Sequence, residues 1–203
     1  MREAQNMIER LAYMMTDQME EENLLVKEMK DEYVYALINI MERGITLASI
    51  FCVSLFFKQI ISMGFFLIFF LSLRKRTGGY HAEKFWQCYL ETVATCMVII
   101  FLSPVVEEHM KMLYILLAGS VVLIGIVGTV NHPNMALNSQ ELLESKKASR
   151  CLVGLESVIL VSAVILNVRN IYICYMSEAI ILCALLLIIA KMIKQEVSES
   201  GKE

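Results

Sequence analysis

The chain alternates between long apolar runs and short polar clusters, and the runs follow helical rather than strand periodicity. In residues 3–20, Ile8, Leu11, Ala12, Met15 and Met19 recur at spacings of three and four, while Glu3, Arg10, Asp17 and Glu20 fall on the opposite face. That pattern predicts an amphipathic helix lying on a membrane or against a bundle. Asn23 is placed to cap a second helix running through LLVKEMKDEYVYALINIMER. Six apolar segments follow, at roughly 44–57, 60–73, 88–106, 112–130, 151–168 and 171–190. The last four are long enough to span a bilayer. The first two hold 14 residues each, a rise of about 21 Å against a hydrocarbon core of about 30 Å. They are separated by Lys58-Gln59. The first span is therefore expected to begin earlier, near Tyr33, with Glu42 and Arg43 near a helix end or facing the bundle interior. The alternative is a short, partly buried hairpin.

Composition agrees with this pattern. Of 203 residues, 57% are hydrophobic and 19% charged, and the mean hydropathy is +0.59, above the usual range of soluble domains. Two prolines and nine glycines favour helices, and the apolar runs lack the period-2 alternation of a barrel. The expected fold is all-α: a polytopic membrane bundle of about six hydrophobic segments with an N-terminal amphipathic helix. Its expected parts are an interfacial region over 1–43, a transmembrane domain over 44–190 and a tail over 191–203. The first residues lack the apolar core and small-residue cleavage site of a signal peptide. A net charge of −3 argues against nucleic acid as a partner.

Charge placement predicts orientation. Residues 1–43, 74–87, 131–150 and 191–203 together carry 15 of the 18 Lys and Arg. By the positive-inside rule, both termini and the two long polar loops are expected on the cytoplasmic face.

The stretch RKRTGGYHAEKFWQC concentrates the candidate chemistry. A cysteine attacks as the thiolate, which needs a base, positive potential or a helix N-terminus. Around Cys88, His81 can serve as base, and Arg74, Lys75, Arg76 and Lys84 supply positive charge. The helix of the third span is expected to start near residues 82–86, which puts Cys88 in its first or second turn. On one continuous helix His81 and Cys88 would lie about 10.5 Å apart along the axis, too far for a hydrogen bond. Catalysis thus requires His81 on a turn folded back toward Cys88. Gly78-Gly79 permits such a turn and offers backbone N–H groups to an oxyanion. The plain alternative is an interfacial histidine and a core cysteine. Cys52, Cys96, Cys174 and Cys183 lie in apolar runs, and no CxxC pair occurs. A metal site from His81, Cys88, His132 and Cys151 lacks recognisable ligand spacing, so no metal or cofactor is expected. Tyr80 and Trp86 read as interface anchors.

The string Arg74-x3-Gly78-Gly79-x-His81-Ala82-x5-Cys88 resembles the signature of the AgrB family, the membrane cysteine peptidases of Gram-positive quorum sensing. The segment Asn131-His132-Pro133-Asn134, followed by Glu141, Glu144, Lys146 and Lys147, resembles the family's second cytoplasmic loop, although Met135-Ala136-Leu137 stand where members often carry a lysine. The resemblance implies an endopeptidase that removes the acidic tail of an AgrD-like propeptide at a cell membrane, with Cys88 as nucleophile, His81 as general base, and Arg74 and Gly79 at the motif's other functional positions. It implies an acyl-thioester on Cys88 that a Cys or Ser of the propeptide resolves into a thiolactone or lactone. Glu83, Asn131 and Asn134 are candidates to orient His81. Lys75, Arg76, Lys146 and Lys147 are candidates to hold the acidic tail, their plain alternative being topology and contact with membrane lipid. The 3–20 helix could meet the propeptide leader or a second subunit in a homodimer. A rival class is a peptide transporter, with Glu91, Thr92, Thr95, Glu156 and Ser157 lining its path; a non-enzymatic adaptor is a third.

Overall fold

A computed structural model describes residues 2–22, 24–78, 85–131 and 138–193. Among these, seven α-helices account for nearly all the regular structure: α1 (Arg2–Glu21), α2 (Lys30–Phe56), α3 (Ile60–Thr77), α4 (Phe85–Glu107), α5 (Met110–Val127), α6 (Ser139–Ile165) and α7 (Asn170–Met192). A 3-10 turn over Lys27–Met29 precedes α2. The only β pairing among the described residues is an isolated parallel bridge between Gly78 and Val130. The expectation of an all-α polytopic bundle is met. Asn23, the expected cap of the second helix, lies outside the described residues, as does the tail from 194 onward.

Among the described residues, five helices are long and apolar enough to cross a membrane: those over Lys27–Phe56, Trp86–Glu107, Met110–Val127, Ser139–Ile165 and Asn170–Met192. The first extends well upstream of residue 44, as its short apolar run required, and α2 passes unbroken through Glu42 and Arg43. The remaining apolar segment, 60–73, falls in α3, which has 18 residues and ends in Arg74, Lys75 and Arg76; this basic last turn leaves it short of an uninterrupted span. Phe56, Ile115, Ile126 and Ile165 are each more than 70% exposed. So much outward-facing aliphatic and aromatic surface suits hydrocarbon rather than water.

The chain forms two compact units, residues 1–55 with 82–96 and residues 56–81 with 97–203. In the first, ion pairs tie the end of α1 to the start of α2. Lys30 at the start of α2 binds Asp17 (2.6 Å) and Glu20 (2.8 Å) near the end of α1, and Lys27 reaches Glu20 at 3.5 Å. The hydrogen-bonded Lys30 ammonium holds the Glu20 carboxyl below its ordinary range. Ile8, Ala12 and Thr16 are the buried stripe of α1, and Thr16 returns its hydroxyl to the Ala12 carbonyl at 3.0 Å. The hydroxyls of Ser49 on α2 and Tyr89 on α4 are joined at 3.0 Å.

In the second unit α7 is the central helix. Its apolar window is 67% buried, against 28% or less for the other four spans. α3, α5 and α6 all pack on it, and α6 also packs on α3 and α5. Leu73, Ile124, Ile180 and Leu187 are fully buried here, and Phe66 stacks on Phe70 with centroids 5.5 Å apart. Two intramembrane carboxylates are held by serines of neighbouring helices: Ser72 donates to Glu156 and Ser103 to Glu178, each at 2.6 Å.

Candidate functional site

The first part of the site is the end of α3. The last carbonyls of a helix lack intrahelical partners, and here they are met by specific groups. The Gly78 N–H donates to the Arg74 carbonyl at 3.2 Å. The Arg76 carbonyl accepts two hydroxyls, from Thr129 and from Ser145, both at 2.9 Å. The Thr77 carbonyl accepts the Val130 N–H at 3.0 Å. Thr77, Thr129, Val130, Asn131, Ser145 and Ser149 are all buried. Gly78 takes φ 65° and ψ −131°, a backbone state open to glycine and strained for other residues, so its place in the motif has a conformational reason.

The partner segment leaves α5 through a tight turn. Gly128 adopts φ 72° and ψ −88°, and the Thr129 N–H donates to the Val127 carbonyl at 3.1 Å, which makes a γ-turn. Arg150 of α6 closes the same helix end, donating to the carbonyls of Gly125 (2.8 Å) and Ile126 (3.3 Å). α6 opens on a capping box: the Asn138 side chain accepts the Glu141 N–H and the Glu141 carboxylate accepts the Asn138 N–H, both at 2.9 Å.

These contacts bring the first polar loop, at Gly78, to the second, at Val130 and Asn131. They also bring the two basic clusters to one end of the second unit, because Ser145, bonded to Arg76, directly precedes Lys146. Arg74 and Lys146 are half-buried, whereas Lys75, Arg76 and Lys147 are exposed. Cations at a helix C-terminus complement its dipole, and the exposed three remain available to an anionic ligand.

Cys88 belongs to the first unit. It is the fourth residue of α4, half-buried, and its carbonyl accepts the Thr92 hydroxyl at 2.7 Å. Cys96, Cys174 and Cys183 are buried and Cys52 and Cys151 exposed. The helix start at Phe85 falls within the expected 82–86, and of the first or second turn expected for Cys88 the structure gives the first. His81, Gly79, Tyr80, Glu83, Lys84, His132 and Asn134 lie outside the described residues. Among the described residues no group of three or more His, Cys, Asp or Glu converges as a metal site.

The profile of the family described as AgrB, accessory gene regulator B, matches residues 8–194. The chain belongs to the AgrB family. Comparison with curated proteins and with solved structures found no significant match. Membership covers nearly the whole chain, and it sets the protein in accessory gene regulator peptide processing, with an AgrD-like propeptide as its partner. The five apolar helices make it a multi-pass membrane protein. The residues that fasten the AgrB motif region to the second loop, Thr129 and Ser145, were missed in the sequence. A lone Thr at the edge of an apolar run and a lone Ser in a polar stretch carry no signal until the fold sets them against one carbonyl. The capping box was not singled out either, although Asn138-x-x-Glu141 carries the pattern of a helix start.

Proposed function

We propose that this AgrB protein is a membrane cysteine endopeptidase that cuts the acidic tail from an AgrD-like propeptide and passes the remaining acyl group to an internal nucleophile of the same peptide. The observation that carries the reading is the family match over residues 8–194, joined to a half-buried thiol in the first turn of α4. A helix N-terminus favours the thiolate. His81 takes the thiol proton and Cys88 Sγ attacks the scissile carbonyl. The peptide C–N bond breaks, the proton passes to the departing amine, and a thioester joins the peptide core to Cys88. A Cys or Ser of the core then attacks that thioester, closing the ring and returning Cys88 as a thiol. Exclusion of water from the thioester decides between ring closure and hydrolysis.

The basic end of the second unit supports binding of the acidic tail by Lys75, Arg76 and Lys147, with Arg74 and Lys146 closer to the protein interior. Such attraction weakens as salt rises. The transporter reading loses support, because Thr92, Thr95 and Ser157 each donate their hydroxyl to a carbonyl four residues back in their own helix and Glu156 is held by Ser72.

The test is tail release by purified protein in a single compartment. Cys88→Ala and His81→Ala should each reduce it by at least about a hundredfold while propeptide binding persists. Release by Cys88→Ala at a near-normal rate would sink the assignment.

A further inference from the structure

We propose that the cavity between α5 and the turn joining α6 to α7 holds the headgroup of an anionic phospholipid, with Arg169 on its phosphate, a site independent of the catalytic residues above. The cavity has a volume of about 320 Å³, within the range of small-ligand sites. Asn167, Arg169 and Asn170 supply its polar lining, Val164 and Val168 part of its apolar lining, and Tyr114 places it against α5. Among the described residues that line it none is acidic, so Arg169 gives the cavity a net positive charge.

The wall formed by the turn is fixed by its own backbone. α6 ends in a Schellman motif: the Asn167 N–H donates to the Val164 carbonyl at 3.1 Å and the Val168 N–H to the Ala163 carbonyl at 3.0 Å. Asn167 takes φ 53°, a left-handed state that asparagine tolerates better than most residues. Arg169 is held from the next turn. Its guanidinium lies 5.3 Å from the centroid of the Tyr172 ring and donates to the Tyr172 hydroxyl at 3.3 Å. That ring meets Phe65 of α3, centroids 5.4 Å apart. Arginine carries five N–H donors in a planar fork that matches phosphate, and the bond to Tyr172 uses one of them. A guanidinium already ordered in this way loses less freedom when an anion binds.

Position and surroundings select a lipid. α6 ends at Ile165 and α7 begins at Asn170, and both helices are long and apolar enough to span, so the cavity lies at the level where headgroups meet water. From Val164 a ridge continues along α6 through Val161 and Val158, and all three are at least 40% exposed. Acyl chains cover such a ridge, whereas a free phosphate ester leaves it bare. The Asn167 and Asn170 amides suit the hydroxyls of a polyol headgroup. The ammonium of a zwitterionic headgroup would meet a cation there and no carboxylate.

The test uses full-length protein in micelles of a neutral detergent, with a phosphatidylglycerol that carries a photoreactive diazirine near its headgroup. Adducts are mapped by mass spectrometry and quantified over residues 164–173, where they should form and saturate. Unlabelled phosphatidylglycerol should displace the probe at least about fivefold better than phosphatidylcholine with the same chains. Glycerol 1-phosphate, which lacks the chains, should displace little at the same concentration. Arg169→Ala should lower the yield about tenfold, the size of a lost charge-assisted bond. Asn170→Asp should lower it too; an acid in the first turn of a helix favours folding, so this variant carries the comparison if Arg169→Ala does not fold. Lys111→Ala removes a cation near the start of α5 that does not line the cavity, and should leave the yield unchanged. Equal displacement by the two lipids, or an unchanged yield in Arg169→Ala and Asn170→Asp, overturns the proposal. So does an equal loss in Lys111→Ala, which marks diffuse surface charge. Displacement by glycerol 1-phosphate as strong as by the lipid assigns the cavity to soluble phosphate esters and overturns the lipid.

Discussion

Gly128 is the residue on which the join between the two polar loops turns. Its φ of 72° belongs to the left-handed half of the map, and a Cβ added there would lie 3.0 Å from Lys146 Cγ and 3.2 Å from Lys146 Cβ. The turn it makes sets Thr129 and Val130 against the end of α3. Gly128→Ala should therefore destabilise the protein by about 1–2 kcal/mol from backbone strain alone, with the close approach to Lys146 adding to it. A thermal melt should show a lower Tm, and an unchanged Tm would mean that the turn relaxes without loss. At this scale the string from Arg74 to Cys88 could be singled out as a candidate, because a thiol, an imidazole and a glycine pair crowd into a few residues, and the structure adds that Gly78 closes α3 and Cys88 falls in the first turn of α4. The hydroxyls at 129 and 145 could not be singled out, because their meaning depends on a carbonyl more than fifty positions away from one and nearly seventy from the other.

Among the elements, hydrophobic length decided most of what could be read. Fourteen apolar residues cannot cross a bilayer, so α2 had to begin upstream of residue 44, and it begins at Lys30. The same reasoning left α3 ambiguous, and the structure shows why. Its apolar length is real, but Arg74, Lys75 and Arg76 occupy its last turn, and its stability comes from packing on α7 and α6. The central role of α7 was less visible, since uniform apolarity does not distinguish a helix facing lipid from one facing protein. α6 depends on a cap that the sequence does display. Asn138→Ala removes the side-chain acceptor for the Glu141 N–H and should cost about 1 kcal/mol. Amide exchange should quicken in the first turn of α6 before the rest of the helix, and uniform protection would contradict a capping role.

For the whole molecule, the order of connections matters most. Short turns follow α2, α4 and α6, while the longer segments after α3 and α5 carry the polar chemistry. Within the second unit the basic residues are unequal between ends: Arg76 and Ser145-Lys146 meet at one, and Lys111 and Arg169 begin α5 and α7 at the other. By the positive-inside rule we infer that the loops after α3 and α5 face the cytoplasm, and Cys88 follows the first of them in sequence. A membrane-impermeant thiol reagent should then label Cys88 only after cells are opened; labelling of intact cells would reverse the orientation. The central claim is that Cys88 carries the peptide core as a thioester, and the most direct measurement is mass spectrometry of the protein quenched in acid during turnover with a tailed propeptide. The account predicts an adduct on the Cys88 peptide with the mass of the propeptide less its tail, absent from Cys88→Ala. Tail release that proceeds with Cys88 unmodified throughout, or an adduct on another residue, would contradict it.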